Sequence, residues 1–338
     1  MKTIYLSASK ISTITGDNRF ESTREFIINI WKRYNYNSYI GVKNEFDNER
    51  RMAIQNKRIK KKVKKRLREE NINFKIKNKS KEELIINIDK LEINKEEKDK
   101  LKKKIKKINN IDENKLECKK DVKKIITDND VIKKAKIEKE VKVVSRNIKE
   151  LNENKIKIIK KIEKMNIPEE EKEIIKKSIK SVTNKRYGTN REKVTVDYFM
   201  KKHNITVIID KKKYIKHINT INNYNFNIVG EVDGIYEDCI IEIKNRTKRL
   251  FNTIYNYEKI QLYMYMFLLE KNKCILVEHF NDKLNELHLE YEDWYMNDIL
   301  KKLHFFTEFY YKLLNNIEIQ RILLLGSDAD FSNIYNIN

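Results

Sequence analysis

Aromatic residues and glycine are distributed unevenly along this chain of 338 residues. The chain contains 33 aromatic residues and six glycines, yet residues 51–180 contain a single aromatic residue, Phe74, and no glycine. Large apolar side chains supply most of the area that a globular core buries. We therefore expect the aromatic core to be built from residues on either side of this block.

Positive charge is concentrated in the same block. Residues 51–180 carry 44 Lys and Arg against 24 Asp and Glu, so 44 − 24 = +20 of the formal net charge of +23 lies there. Such an excess favours polyanionic partners, because neutralised phosphates release condensed counterions, and nucleic acid is the commonest partner of this kind. The alternatives are an anionic membrane surface and a genome biased towards lysine, asparagine and isoleucine.

The basic block has the pattern of several helices. We interpret residues 46–181 as an inserted, all-helical, lysine-rich arm, with one helix beginning near Pro168. Its apolar positions are mostly isoleucine at mixed spacings and form no sustained heptad. Partial disorder is the alternative, because high charge and few aromatic residues disfavour a packed core.

Cysteine usage and hydropathy indicate a soluble intracellular protein. Cys118, Cys239 and Cys274 lie far apart and form no CxxC pair, so neither a disulfide framework nor a structural zinc site is expected. The N-terminus lacks the apolar region of a signal peptide, and the longest apolar run, from Tyr263, is too short to cross a bilayer. We expect no membrane partner.

The first forty residues predict two short helices. An extended start precedes a helix at residues 9–15, a turn at 16–18 and a second helix at 22–34. Ser9 and Ser22 are the expected caps of these helices, because a serine hydroxyl accepts a hydrogen bond from a free N–H of the first turn.

Beyond residue 182 the sequence predicts helices and strands in alternation. A helix at 189–203 precedes strands at 205–210, 226–236 and 239–245, which are rich in β-branched residues, and the last two strands are joined by a turn at 237–238. The expected elements that follow are a helix at 255–270, a hairpin of strands at 274–280 and 284–290, and a helix at 292–314.

Residues 226–246 combine two carboxylates with a lysine. Strand alternation places Glu242 and Lys244 on one face, and Asp233, on the preceding strand, is expected to approach Glu242 across the sheet. Two carboxylates can hold Mg²⁺, while an ammonium group can orient or deprotonate a water and balance phosphate charge. A purely structural ion pair is the alternative, because Glu-x-Lys is common by chance in a lysine-rich chain.

This arrangement resembles the PD-(D/E)xK nuclease superfamily. Asp233, Glu242 and Lys244 match its three defining positions. The resemblance implies that Asp233 and Glu242, with the backbone carbonyl of Ile243, hold the metal, and that Lys244 activates or positions the attacking water.

Three further segments resemble the lambda-type exonucleases, also called YqaJ-like viral recombinases. Glu192, in residues 186–198, matches a glutamate that would assist a second metal, although a solvated helix residue is the alternative. Gln261 matches the family's glutamine on the helix after the lysine strand, although it lies among ordinary core residues. Ser9 matches a serine beside the terminal phosphate of the substrate, and helix capping is its alternative role.

The resemblance implies an α/β fold of the restriction-endonuclease-like type, with a mixed central sheet flanked by helices. Its core would comprise residues 1–45 and 182–316, interrupted by the helical arm at 46–181 and followed by a C-terminal tail at 317–338. The compact phage-type enzymes have no counterpart of this arm, so their ring-shaped oligomers do not carry over to this chain.

The implied function is a DNA nuclease that uses one or two Mg²⁺ or Mn²⁺ ions. The favoured reaction is digestion of one strand of duplex DNA from a free end, in recombination, repair or viral DNA processing. A single-strand annealing protein and further copies of the chain are the expected partners besides DNA. The alternatives are an endonuclease with the same site and a nucleic-acid-binding or assembly protein that uses the basic arm.

Overall fold

The chain forms two compact units in the computed structural model. Unit 1 comprises residues 1–29, 123–315 and 335–338, and unit 2 comprises residues 30–122 and 316–334. The boundaries of these units differ from the domain boundaries expected from the sequence. The expected domain boundaries stay predictions. The structure describes residues 1–69, 85, 88–89, 95–106, 131–132, 135–209 and 211–336.

The first sheet of unit 1 joins the N-terminus to the middle of the chain. Its strands are β1 (Lys2–Ser7), β2 (Tyr214–Ile221) and β3 (Tyr224–Gly230), in the order β1-β3-β2. β1 pairs parallel to β3, and β2 pairs antiparallel to β3. The side chains of Ile4 and Leu6 on β1 are fully buried, which anchors the N-terminal segment to this sheet.

The second sheet carries the carboxylates that the sequence singles out. Its strands are β4 (Gly234–Tyr236), β5 (Cys239–Asn245), β6 (Lys273–Phe280) and β7 (Lys283–Glu290), in that order. β5 and β6 are parallel, whereas β4 with β5 and β6 with β7 are antiparallel. Both sheets are therefore mixed, as expected, but they are two sheets and not one central sheet.

Two predicted strands differ from the observed ones. Residues 205–210 were expected to form a strand, but among the described residues 205–209 only Ile208 makes a bridge, an isolated one with Ile235. Val207 is buried against the second sheet, so the run has a buried side but lacks the continuous pairing of a strand. The strand predicted at 226–236 is two strands, β3 and β4, because the chain leaves the first sheet after Gly230 and enters the second at Gly234.

The helices of the chain begin and end as follows. Unit 1 contains α1 (Ile11–Ile14), preceded by a 3-10 turn at Ala8–Lys10, and unit 2 contains α3 (Tyr36–Glu69) and α4 (Lys95–Lys106), while α2 (Thr23–Tyr34) spans their boundary. Unit 1 continues with α5 (Glu138–Val141), α6 (Ile148–Glu163), α7 (Glu169–His203), α8 (Asn256–Leu269) and α9 (Asp293–Asn315), and unit 2 ends with α10 (Ile317–Leu325) and α11 (Asp328–Ile334).

Helix α7 merges two helices that were expected to be separate. It runs for 35 residues, Glu169–His203, between its N-cap residue Pro168 and its C-cap residue Asn204, which has the left-handed conformation at φ 53°. Gly188 lies inside the helix and does not interrupt it. The first half of α7 has the composition of the basic block, whereas the second half packs on the sheet. For this reason the sequence did not predict that the two halves form one helix.

The apolar core of unit 1 follows α7 along its length. The first half of α7 packs with α5 and α6 in a cluster that includes Ile158, Ile162, Ile175 and Ile179. The second half packs on the second sheet in a cluster formed by Val196, Phe199, Val207, Ile241, Ile243 and Val277. This second cluster buries the face of β5 that lies opposite to the face carrying Glu242.

The expected caps of the N-terminal helices have different outcomes. Ser22 caps α2, because its Oγ accepts a hydrogen bond from the Glu25 N–H at 3.4 Å. Ser9 caps nothing, since it lies inside the 3-10 turn and neither this turn nor α1 has a side-chain cap. The prediction for Ser9 as a helix cap is wrong.

The hairpin of β6 and β7 and the helices α8 and α9 agree with the elements predicted from the sequence. Residues 281–282 form the turn between β6 and β7, and α8 and α9 lie within one residue of their expected bounds.

Cys239 and Cys274 are free, and Cys118 lies outside the described residues. In the part of the chain that the structure describes, no helix combines the length and apolarity needed to cross a membrane.

Candidate active site

Asp233 lies at the start of β4, where the chain enters the second sheet. Its Oδ2 accepts a hydrogen bond from the backbone N–H of Ile243 on β5 at 2.8 Å. Because β4 and β5 are antiparallel, with Gly234 opposite Ile241, this bond holds the carboxylate over the neighbouring strand. The approach of Asp233 to the Glu-x-Lys strand, expected from the sequence, is therefore present.

The glycines that flank Asp233 permit this close arrangement. A Cβ atom at Gly230 would lie 3.1 Å from Cε1 of Tyr265, closer than side chains ordinarily approach. A Cβ atom at Gly234 would collide with Cγ1 of Val207, a short and rigid side chain. Glycine is thus required on both sides of Asp233 by packing and not by backbone conformation.

Glu242 is the buried centre of the site. Its residue surface is 4% exposed, and its Oε1 accepts hydrogen bonds from Lys244 Nζ at 2.6 Å and from Gln261 Nε2 at 3.0 Å. The alternation of β5 does place Glu242 and Lys244 on one face, as predicted. The Lys244 side chain remains 25% exposed, so its ammonium group is accessible beside the buried carboxylate.

Gln261 connects Glu242 to helix α8. Its Nε2 donates to Glu242 and also to the phenolic oxygen of Tyr265 at 2.7 Å, while its Oε1 accepts from Lys244 Nζ at 3.3 Å. The amide therefore uses its donor side on the acid and its acceptor side on the lysine. The sequence prediction that this polar residue finds its partners in the site agrees with these contacts.

Burial dominates the electrostatics of the three charged groups. It raises the pKa of Glu242 to about 8 against the opposing effect of Lys244, and it also raises the pKa of Asp233. Burial acts to lower the pKa of Lys244, but the charge and hydrogen bond of Glu242, together with the charges of Asp233 and Glu258, outweigh it, so the pKa is raised. Lys244 therefore stays a cation at neutral pH.

The carboxylates fit a divalent cation. The side chains of Asp233 and Glu242 lie within hydrogen-bonding reach of each other, and the charge of Asp233 adds to the effect of burial in raising the pKa of Glu242. A hard cation between them would relieve this repulsion. Among the described residues, no group of three or more His, Cys, Asp or Glu side chains is arranged to hold a metal.

Glu192 faces the same carboxylates from helix α7. Burial raises its pKa, and the charge of Asp233 raises it further, while its side chain hydrogen-bonds to Thr189. The carboxylate is therefore half-buried and within electrostatic reach of Asp233. Its role as a ligand for a second metal stays a prediction.

Asn245 fixes the turn of α7 from which Glu192 extends. Its Nδ2 donates to the carbonyl oxygen of Gly188 at 3.0 Å, and its Oδ1 accepts from Thr195 Oγ1 at 2.7 Å. Thr195 Oγ1 also lies 2.9 Å from Nδ1 of His279, whose pKa is lowered by burial. These contacts join α7 to the ends of β5 and β6.

Ser9 has no hydrogen bond to the other site residues in the described contacts. It is exposed, and its Oγ lies 3.0 Å from Oγ of Ser7. The adjacent Ala8 is buried against Gly230, where an added Cβ would lie 3.2 Å from Cβ of Ala8. The structure thus places this segment next to β3, and the phosphate-binding role of Ser9 stays a prediction.

Sequence reasoning missed a buried ion network beside the site. Arg246 donates to Glu278 Oε1 from Nε at 2.6 Å and to Glu258 Oε1 from NH1 at 2.7 Å. The other oxygen of Glu278 accepts from the backbone N–H groups of Phe251 and Asn252, both at 3.0 Å. The network therefore pins the loop between β5 and α8, and the period of two in Glu242, Lys244 and Arg246 was its signal in the sequence.

Comparison with known proteins finds solved structures of low similarity and shows no family. No family model matches the sequence, and no curated protein matches it. A crystal structure of an alkaline exonuclease (LHK-Exo) from Laribacter hongkongensis is similar to the chain with a TM-score of 0.31 and 12% identity, over 57% of this chain and 91% of that one. Its complex with dAMP gives 0.30 and 15%, over 56% and 89%.

A further solved structure, that of SSO0001, has a TM-score of 0.29 and 18% identity to the chain. The similarity covers 55% of this chain and 85% of that one. Similarity at this level does not establish a family, so the function has to be argued from the site itself.

Proposed function

We propose that this protein is a deoxyribonuclease that depends on Mg²⁺ or Mn²⁺. The observation that carries the proposal is the convergence of Asp233, Glu242 and Lys244, with Gln261 bonded to the last two. Paired carboxylates can hold the ion that metal-assisted phosphodiester hydrolysis uses, and an ammonium group beside them can balance phosphate charge.

Asp233 and Glu242, with the carbonyl oxygen of Ile243, would hold the ion, and Glu192 would assist a second one. Such an ion would polarise the phosphate and lower the pKa of a bound water. The Ile243 N–H fixes Asp233, and Gln261 fixes Glu242, so both carboxylates are oriented before substrate binds. Orientation of this kind lowers the reorganisation needed in the transition state.

Lys244 would act as a cation and not as a general base. Burial lowers its pKa, but the charges of the carboxylates around it raise the pKa overall, which favours the protonated ammonium group. The ammonium group would then donate hydrogen bonds to the attacking water or to a phosphate oxygen and balance negative charge. The proposal therefore favours positioning of the water by Lys244 over activation of the water.

Digestion of one strand from a free duplex end is the finer part of the proposal. It rests on the resemblance of the segments around Ser9, Glu192 and Gln261 to lambda-type exonucleases. A part in recombination or repair, an annealing-protein partner and assembly with further copies of the chain belong to the same proposal. The endonuclease alternative requires only the same site.

The test is incubation of the purified chain and Mg²⁺ or Mn²⁺ with end-labelled linear duplex and with closed circular duplex. We expect loss of the linear DNA, no change in the circle and no cleavage of either by Glu242→Gln. The matched control is Glu286→Gln, since Glu286 also accepts from a lysine, Lys202, at 2.6 Å but lies on β7 outside the site. Cleavage of the circular duplex would identify the protein as an endonuclease and not an exonuclease. Full activity of Glu242→Gln would refute the proposed active site.

A further inference from the structure

Phe20 is displayed to solvent by a rigid turn. Its surface is 70% exposed, although a phenylalanine ring gains from burial. Asn18 builds the turn: its Oδ1 accepts from the Phe20 N–H at 2.9 Å, its Nδ2 donates to Thr13 Oγ1 at 2.9 Å, and its N–H donates to the Ser12 carbonyl at 3.0 Å. Glu21 adds a bond from Thr13 at 3.0 Å. The exposure of Phe20 is therefore imposed by the fold.

Phe20 is one end of an aromatic row, which we define as Phe20, Tyr257, Tyr255 and Phe251. Phe20 and Tyr257 meet edge to face with ring centroids 5.5 Å apart. Tyr257 is nearly parallel to Tyr255 at 6.0 Å, and Tyr255 meets Phe251 at 5.3 Å. The rings thus form a continuous, partly exposed surface joining the N-terminal turn to the loop before α8.

Arg19 adds a cation to this surface. Its guanidinium carbon lies 4.9 Å from the ring centroid of Phe20 and 5.3 Å from that of Tyr255. Arg19 is exposed, so its donors remain available to an anion while its plane covers aromatic carbon. A guanidinium group is well suited to both phosphate binding and base stacking.

The aromatic row runs up to the candidate active site. Tyr257 lies four residues before Gln261 on α8, so the two side chains share one helix face about 6 Å apart along the axis. At the Phe251 end of the row, the N–H of Phe251 is held by the buried carboxylate of Glu278. The row is therefore anchored next to the site at Tyr257 and at Phe251.

We propose that the aromatic row and Arg19 bind unpaired bases of the DNA strand that is cut. This inference rests on the proposed deoxyribonuclease function and deepens it by naming the substrate as a strand with unpaired bases next to the scissile phosphate. Every base has two π faces, so stacking on exposed rings is tolerant of sequence, and Arg19 supplies the charge that matches the phosphates. Paired bases stack on each other and cannot use the rings in this way.

The test measures binding of a short single-stranded DNA containing one 2-aminopurine base, in the presence of a chelator so that nothing is cut. Stacking quenches the fluorescence of this base. We expect quenching by the wild-type chain, and for Phe20→Leu we expect loss of quenching and roughly tenfold weaker binding, the magnitude of one lost base–aromatic stack. Leucine keeps an apolar side chain at the exposed position, so the change removes the ring and not the fold.

Tyr36→Leu is the matched control, because Tyr36 is 53% exposed and lies outside the row. Unchanged quenching and affinity in Phe20→Leu would overturn the inference. A change of oligomeric state in Phe20→Leu with unaltered DNA binding would also overturn it, since the row would then contact a second copy. If the wild type cleaves no DNA but its quenching depends on Phe20, the proposed function fails while the stacking surface stands.

Discussion

Replacing Lys244 with methionine is expected to slow DNA cleavage by about a hundredfold or more, the order of magnitude seen when one positioned catalytic group is removed. The methionine keeps the length of the side chain but removes the ammonium group, whose Nζ lies 2.6 Å from Glu242. Single-turnover cleavage of an end-labelled duplex at saturating Mg²⁺ measures the loss. Saturating metal separates an effect on the chemical step from an effect on metal affinity.

Lys202→Met is the control for this substitution. Lys202 pairs with Glu286 at the same 2.6 Å, but its side chain is 48% exposed and the pair lies on the surface of α7 and β7. Its loss is expected to leave cleavage unchanged. Equal cleavage by Lys244→Met and the wild type would remove Lys244 from the proposed chemistry, whatever the effect on stability.

Replacing Arg246 with leucine is expected to lower the free energy of unfolding by about 3–5 kcal/mol, the usual cost of breaking a buried ion pair by removing one partner. The side chains of Arg246, Glu258 and Glu278 are 10%, 2% and 0% exposed, so the two carboxylates would be left buried without their cation. Arg246 also covers the ring of Phe251 at 4.1 Å. Urea denaturation followed by tryptophan fluorescence and circular dichroism measures the change.

Arg321→Leu is the matched comparison, since Arg321 also pairs with a glutamate, Glu49 at 3.1 Å, and covers a phenylalanine ring, Phe46 at 4.5 Å. Both members of this pair are partly exposed, so a loss of about 1 kcal/mol or less is expected. Adding Glu258→Gln and Glu278→Gln to Arg246→Leu should restore part of the stability, because neutral amides need no cation. No difference between the two arginine variants would contradict the buried network.

The part of the fold that the sequence predicts best is the part with local, periodic signals. The strand at 239–245, the helix at 255–270 and the hairpin at 274–290 each have alternation or helical spacing along their own length, and all three are present. Residues 205–210 have the composition of a strand, but a strand also needs continuous pairing with a neighbouring strand. This pairing cannot be read from the run itself.

The candidate site is predictable where it lies on one regular element. Glu242 and Lys244 share a strand face by alternation, and Gln261 is a polar residue on an apolar helix, so each has a local signal. The interaction of Arg246 with Glu258 and Glu278 joins a strand end, a helix and a second strand, and depends on tertiary packing. The display of Phe20 likewise depends on the hydrogen bonds of Asn18, which composition does not indicate.

Isothermal titration calorimetry of the chain with Mn²⁺ measures whether Asp233 and Glu242 hold a divalent cation. The wild type is expected to bind one or two ions, and Glu242→Gln is expected to bind at least about tenfold more weakly or to lose one ion, because a neutral amide is a poorer ligand than a carboxylate. Glu286→Gln should bind as the wild type does. Equal Mn²⁺ affinity and stoichiometry in Glu242→Gln and the wild type would contradict the metal site and, with it, the proposed nuclease.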